Sequence, residues 1–274
     1  MILFPHAKIN LGLNVIARLA DSYHEIESVL IPIPLTDVLE AVIDPDLGEN
    51  ELIYDRTGLP IPGTVEGDLC YKAVRMLQEI TPLPGIRLHL HKVIPMGAGL
   101  GGGSSDGAHT LLLLKDLCQL PLDGDLLHSL ASRLGSDCPF FLRPNAQLAL
   151  GRGELLEPIA LDLSGLWLMV VYPAVHVSTG EVYTSTTPTG QPWDLGALLV
   201  RERISNWGTT VRNVMETYVL EAYPAVAEVK RLLLDQGAVY ACMSGSGSTV
   251  FGLFTSRPVL PSLPLDHRSW VFEL

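Results

Sequence analysis

Residues 95–107 read PMGAGLGGGSSDG and run directly into AHTLLLLKDLC. Five glycines (Gly97, Gly99, Gly101, Gly102 and Gly103) crowd into seven residues, and Ser104 and Ser105 follow. Glycine lets the backbone take φ > 0 and lets a ligand approach without a Cβ in the way. The apolar text that follows predicts a largely buried helix. A helix N-terminus presents unpaired N–H groups and the positive dipole end, so a glycine loop opening into a helix is suited to phosphate oxygens. Serines there can cap the helix, donate to phosphate or reach a metal bound to it. Gly97-x-Gly99-x-x-Gly102 also matches the dinucleotide fingerprint, a weak signal alone. The strand before it alternates in polarity, whereas a Rossmann strand is a continuous apolar run, and Pro95-Met96 intervene. The Walker A pattern fails because no lysine precedes Ser104 or Ser105. A mere flexible turn is the bland alternative, and ordering so many glycines is a costly way to make one.

The chain around this loop is a globular one. It has 274 residues, 47% hydrophobic and 18% charged, which excludes disorder for most of its length. At ~150 residues per domain it makes one large or two small domains. The net charge of −12 lacks the basic footprint of a nucleic-acid binder. It also makes long-range steering of anionic ligands unfavourable, so phosphates must be held by local donors. Cys70, Cys118, Cys138 and Cys242 form no C-x-x-C pair, and their spacing does not suggest zinc. The opening MILFPHAKINLGLN has no secretory pattern and no run reaches 18 apolar residues. A soluble, cytoplasmic protein with no membrane or nucleic-acid partner is expected; oligomeric state is not readable.

Strand-like and helix-like pieces alternate, which predicts an α+β fold. Residues 7–17 place Ile9, Leu11, Leu13 and Val15 on one face of a half-buried strand. Residues 26–43 hold two apolar runs broken by Pro32 and Pro34, and 44–67 reads as hairpins and loops. A helix is predicted over 68–80, with Asp68 as N-cap and Leu69, Ala73, Met76 and Ile80 as its stripe. A strand covers 86–94, and a helix 125–134 ends at Gly135 in the αL conformation. A boundary is placed near 155, giving domains 1–155 and 156–274. Beyond it come a strand at 166–172, a Thr/Pro-rich loop at 184–193, helical text at 213–236 closed by Gly237, strands at 238–243 and 249–254 joined by SGSGS, and a short last strand at Trp270 and Phe272.

PMGAGLGGGSSDGA resembles the ATP-binding loop of the galactokinase, homoserine kinase, mevalonate kinase and phosphomevalonate kinase (GHMP) superfamily. Its doubled glycine-serine form is similar to the branch that phosphorylates the 2-hydroxyl of a cytidine diphosphate conjugate of methylerythritol in non-mevalonate isoprenoid synthesis. A homoserine- or mevalonate-type kinase of the superfamily is the alternative. The resemblance implies a two-lobed α+β kinase, with an N-terminal ribosomal-protein-S5-like lobe, a C-terminal ferredoxin-like α/β lobe and ATP, carrying Mg²⁺, held between them. Other matches follow in family order. PHAKINL at 5–11 is similar to the family's PAKINL opening, with His6 inserted. A lysine beside an acceptor hydroxyl can stabilise developing negative charge. Lys8 is the implied catalytic cation, where a strand alone would suggest a solvated lysine. Asn10, two residues on, is a candidate substrate ligand.

DSYHE at 21–25 resembles the family's DGYHE, with Ser22 in place of glycine and so without the φ > 0 option. Tyr23 can stack on a cytosine ring and His24 can bond its polar edge; otherwise the pair is surface packing. Asp137 in GSDCPFF resembles the family's base. Its structural alternative is an N-cap of the next short helix, with Pro139 near the start. STGEVY at 178–183 resembles a substrate-wall segment, which makes Thr179 and Tyr183 candidates, the latter as Tyr23's partner across the base. On the nucleotide side the resemblance implies Pro95, Met96, Gly97, Ala98, Gly99, Leu100, Gly101, Gly102, Gly103, Ser104 and Ser105 around the triphosphate. Lys92, Asp68 and Leu69 are implied near the adenine. Asp68 replaces the usual Asn and cannot donate as an amide does. MSGSGSTVF at 243–251 resembles the third superfamily motif, a supporting loop, and NVME at 213–216 resembles NDFE with Val214 in place of the acid. No protein-held metal is expected, Ser105 being the nearest candidate.

Overall fold

In the computed structural model, which describes residues 1–260 and 263–274, the strands in chain order are β1 (Ile2–Leu3), β2 (His6–Arg18), β3 (His24–Thr36), β4 (Val38–Ile43), β5 (Leu52–Gly58), β6 (Ile86–Lys92), β7 (Gln147–Leu150), β8 (Leu155–Pro158), β9 (Trp167–Tyr172), β10 (Tyr240–Met243), β11 (Val250–Phe254) and β12 (Arg268–Glu273). The helices are α1 (Leu69–Gln78), α2 (Gly102–Leu117), α3 (Gly124–Leu134), α4 (Thr179–Ser185), α5 (Leu195–Arg201), α6 (Ile204–Thr210), α7 (Glu216–Ala222) and α8 (Pro224–Asp235). Among the described residues no helix is long and apolar enough to cross a membrane.

The chain forms two compact units. The first comprises Met1–Ala7, Pro34–Met96 and Gly101–Pro144. Its sheet has the order β1-β4-β6-β5, with β5 parallel to β6. The second comprises Lys8–Ile33, Gly97–Leu100 and Asn145–Leu274. It holds the antiparallel sheet β10-β11-β9-β12 and most of the sheet β2-β3-β7-β8. Its core gathers Val15, Met169, Val171, Val229, Leu233 and Val250. One cut at 155 does not trace these units. Residues 8–33 and 97–100 cluster with the C-terminal half, and Leu155 opens a strand that pairs with β7.

Several local expectations change. β2 is buried on both faces from Ala7 to Val15, so Lys8 and Asn10 are interior rather than on an open face. Pro32 and Pro34 do not break β3. β7 pairs with Ser28–Leu30 only, so that edge is open further on, where a missing N–H is tolerated. β5 lies within text expected to be hairpins and loops, and it pairs in parallel with β6 instead of in a local hairpin. Helix α1 is capped as expected, Asp68 accepting from the Cys70 N–H at 2.9 Å. Its buried stripe is Cys70, Ala73, Val74 and Leu77, and Ile80 is exposed. Gly135 has φ 172°, extended backbone rather than αL. The helical text at 213–236 divides into α7 and α8, because Pro224 supplies no N–H to continue the first and starts the second.

Candidate active site

In the second unit the start of β2 receives the tip of the glycine loop. The Lys8 N–H donates to the Leu100 carbonyl at 2.9 Å. The Lys8 ammonium donates to Asn10 Oδ1 at 2.6 Å and to the Gly99 carbonyl at 2.9 Å. Asn10 in turn donates from Nδ2 to Ser28 Oγ at 2.8 Å, and its N–H donates to Ser244 Oγ at 3.2 Å. Asn10 is buried, and its amide is taken up in aiming Lys8. The structure thus gives Asn10 a role in holding Lys8, beside the sequence reading of it as a substrate ligand.

The loop at 244–248 sits on the same tip. Ser244 Oγ donates to the Gly99 carbonyl at 2.8 Å, and the Thr249 N–H donates to the Ala98 carbonyl at 3.2 Å. Gly99 takes φ +80°, and a Cβ there would lie 2.1 Å from the Ser244 carbonyl oxygen. Only glycine fits. Gly99→Ala is expected to cost about 2–4 kcal/mol of stability, since strain and overlap with backbone act together. Chemical denaturation of the variant checks this; a loss below about 0.5 kcal/mol would show that the loops can separate freely.

Two residues of the NVME segment hold this arrangement, and a third residue, which the sequence did not single out, lies beside it. Asn213 donates to the Met243 and Gly245 carbonyls at 2.9 and 2.7 Å. Glu216 accepts from the Met243 N–H at 2.8 Å and from Lys230 at 2.6 Å. The N-x-x-E spacing was their signal. His176 is the third: it is exposed and faces Gly97, whose ideal Cβ would lie 3.6 Å from its Nδ1.

The root of the loop lies in the first unit. Lys92 does not present its ammonium to a nucleotide. Its side chain is fully buried, ion-paired with Asp37 and, at 2.6 Å, with Asp106. Two carboxylates facing the ammonium overcome burial and raise its proton affinity. Ser105 is also wholly buried, its Oγ 3.3 Å from His109 Nδ1, while Ser104 keeps some exposure. Burial lowers the His109 pKa to about 4, leaving that ring neutral. Asp68 spends its carboxylate on the α1 cap and on Arg56 at 3.4 Å. Leu69 packs on Gly107 of α2, where an added Cβ would fall 2.9 Å from the Leu69 Cβ. Met96 lies against Gly103, with its Cε 3.1 Å from an ideal Cβ.

Asp137 precedes a 3-10 turn, Cys138–Leu142, whose Cys138, Pro139, Phe140 and Phe141 are buried. Its backbone is αR and its side chain makes no cap hydrogen bond. The N-cap alternative therefore does not account for this half-exposed carboxylate. Among the described residues no group of three His, Cys, Asp or Glu side chains is arranged to hold a metal.

The aromatic groups lie in the second unit. His24 stacks on Tyr183, with centroids 4.9 Å apart and planes 28° apart. Burial and then Arg18 lower the His24 pKa, favouring the neutral ring. Tyr23 is exposed, and the Arg152 guanidinium lies 4.6 Å over its ring while pairing with Asp21. Tyr23 and Tyr183 thus each have another partner, where the sequence suggested that they face each other. Ser22 takes φ +71°, so the turn keeps the left-handed conformation that its missing glycine seemed to remove. Thr179, the first residue of α4, is hydrogen-bonded to Ser246 at 2.9 Å.

Comparison with known proteins bears on this geometry. The family model for the GHMP kinases N terminal domain matches residues 68–144, and that for GHMP kinases C terminal matches 197–260. The chain is 42% identical over 259 residues to a 4-diphosphocytidyl-2-C-methyl-D-erythritol kinase of Cytophaga hutchinsonii, covering 94% of each chain. It is 41% identical over 273 residues to one of Bacteroides thetaiotaomicron, covering 100% of this chain and 99% of the relative. A solved structure of 4-(cytidine 5'-diphospho)-2C-methyl-D-erythritol kinase superposes with a TM-score of 0.77 at 34% identity, over 92% of this chain and 90% of that one. A homoserine kinase from Cytophaga hutchinsonii (TM-score 0.65, 18% identity, 92% of this chain and 85% of that one) shares the fold.

Proposed function

The chain belongs to the 4-diphosphocytidyl-2-C-methyl-D-erythritol kinases among the GHMP kinases, and on that premise we propose how its residues divide the work. The reaction moves the γ-phosphoryl group of ATP to the 2-hydroxyl of 4-diphosphocytidyl-2-C-methyl-D-erythritol, a step of non-mevalonate isoprenoid synthesis. Asp137 takes the hydroxyl proton as the oxygen attacks the γ-phosphorus, the bond to the β–γ bridging oxygen breaks, and ADP leaves. Little covalent chemistry is left to the protein; positioning and charge stabilisation do most of it. Lys8 offsets the negative charge at the reacting oxygens. Residues 95–105 wrap the triphosphate, through backbone N–H groups from Met96 onward. Mg²⁺ brought in with ATP would supply charge neutralisation on the phosphates, and Ser104, the loop serine that keeps some exposure, would be the side chain to reach it.

The observation that carries this reading is the fixed Lys8 ammonium. It is clamped to the carbonyl of Gly99, inside the glycine loop, instead of ranging into solvent. For the acceptor, the cytosine takes the face of Tyr23 opposite Arg152, and neutral His24 bonds the polar edge of the base. Base stacking is worth about 1–3 kcal/mol. Tyr23→Ala is therefore expected to raise the acceptor KM about tenfold to a hundredfold, with the ATP KM unchanged. Equal acceptor KM values for variant and parent would remove Tyr23 from the base site. ADP release measured side by side with the cytidine diphosphate substrate, homoserine and mevalonate tests the acceptor itself. Turnover with homoserine or mevalonate alone would overturn it.

A further inference from the structure

The buried ion cluster at the root of the glycine loop is not used by the chemistry above. β6 ends at Lys92, so the next two N–H groups leave the ladder. Asp37 Oδ1 takes both, from Val93 at 2.5 Å and from Ile94 at 2.8 Å. These are the last residues before Pro95. The other oxygen of Asp37 pairs with the Lys92 ammonium, which pairs in turn with Asp106 Oδ2 at 2.6 Å. Asp106 is the fifth residue of α2, the helix that the loop opens into. One cluster thus grips the chain where it enters the loop and again where it leaves.

The ammonium also lies directly beneath the helix start. A Cβ on Gly102 would fall 2.8 Å from Lys92 Nζ. An unbalanced cation there would oppose the positive end of the α2 dipole. Two carboxylates offset it, and all three side chains are at most 3% exposed. Asp106 Oδ1 has no hydrogen-bond partner among the described residues. Burial pushes the Asp106 carboxyl well above the usual carboxylate range, and the Lys92 ammonium beside it pulls the other way.

We propose that Asp37, Lys92 and Asp106 are positioning residues for ATP: they fix both roots of the 95–101 loop and so hold its N–H groups in phosphate-binding register. The proposal rests on residues 95–105 being the ATP phosphate site. It gives Lys92 a role that acts through the loop instead of by contact with the adenine.

Two variants test it. Asp37→Asn keeps the shape but removes the charge and one of the acceptors. The triple change Lys92→Met, Asp37→Asn and Asp106→Asn removes all three buried charges together, which keeps the test valid should a single change prevent folding. For each folded variant, the ADP dissociation constant and the ATP KM are expected to rise about tenfold. The acceptor KM should stay within about twofold, because the acceptor is bound by other residues. Nucleotide titration and steady-state kinetics read the two effects separately. Unchanged ADP affinity in both variants overturns the proposal, as does an acceptor KM that rises in step with the ATP KM. A parent protein that binds no ADP overturns the assignment of the loop as well. A parent that binds while the variants bind equally well overturns the positioning role alone.

Discussion

Lys8→Met is expected to lower kcat by about 10²–10³-fold, the usual cost of losing one preorganised charge or donor at developing negative charge. The expectation comes from how the ammonium is held. Lys8 is 4% exposed, and its Nζ bonds Asn10 Oδ1 and the Gly99 carbonyl. A lysine so fixed loses little further freedom when substrate arrives, so its charge acts on the reaction without reorganisation. Met keeps the apolar stem and removes only the head. The KM for ATP should therefore change far less than kcat, the pattern of an interaction made in the transition state. Lys8→Arg should not restore activity. The site holds a compact ammonium between Asn10 Oδ1 and the Gly99 carbonyl, two acceptors that a planar guanidinium fork does not meet in the same geometry. Steady-state kinetics with an ADP titration for each variant checks this. A kcat within about threefold of the parent would strip Lys8 of its catalytic role.

The glycine loop was legible because its chemistry is local. Gly97, Gly99 and Gly101 take φ +63°, +80° and +70°, conformations that glycine adopts without strain. The Asp68 cap, the alternation along β6 and the αL glycine at 237 likewise follow from neighbours in sequence. What escaped was set by distant partners. Lys92 belongs to a cluster whose carboxylates lie 55 and 14 residues away, so nothing in its own strand marks it as buried and paired. Arg152 reaches Asp21 across 131 residues and covers Tyr23, a pairing that no local pattern carries. Asn10 looked like a ligand because it lies two residues from Lys8 in a segment that resembles the family's opening. Here both faces are covered, and the amide serves the lysine beside it. Ser22 shows the converse error. A missing glycine suggested a different turn, yet the serine occupies the left-handed region that the turn requires. Local strain was accepted where the surrounding chain fixes the geometry.

Asp137→Asn is expected to lower kcat by about 10²–10⁴-fold, the span that general-base catalysis contributes. Two observations separate this carboxylate from a structural one. It precedes a 3-10 turn without capping it, so an N-cap role does not explain the residue. It is only partly exposed, beside the buried Cys138, Pro139, Phe140 and Phe141, which limits the water competing for it. Asn has the same shape and cannot accept the proton. The substitution should thus leave ADP affinity and the melting temperature near those of the parent while turnover falls. The magnitude also discriminates between mechanisms. In a loose transition state the attacking oxygen keeps its proton until late, and a base then matters less than charge and alignment. A fall of only about threefold with Asn would assign the proton to solvent or phosphate and leave Asp137 orienting the hydroxyl. Asp137→Ala separates these cases further. If orientation is the role, Ala should be much slower than Asn, since the amide still accepts a hydrogen bond; if proton removal is the role, the two should be equally slow.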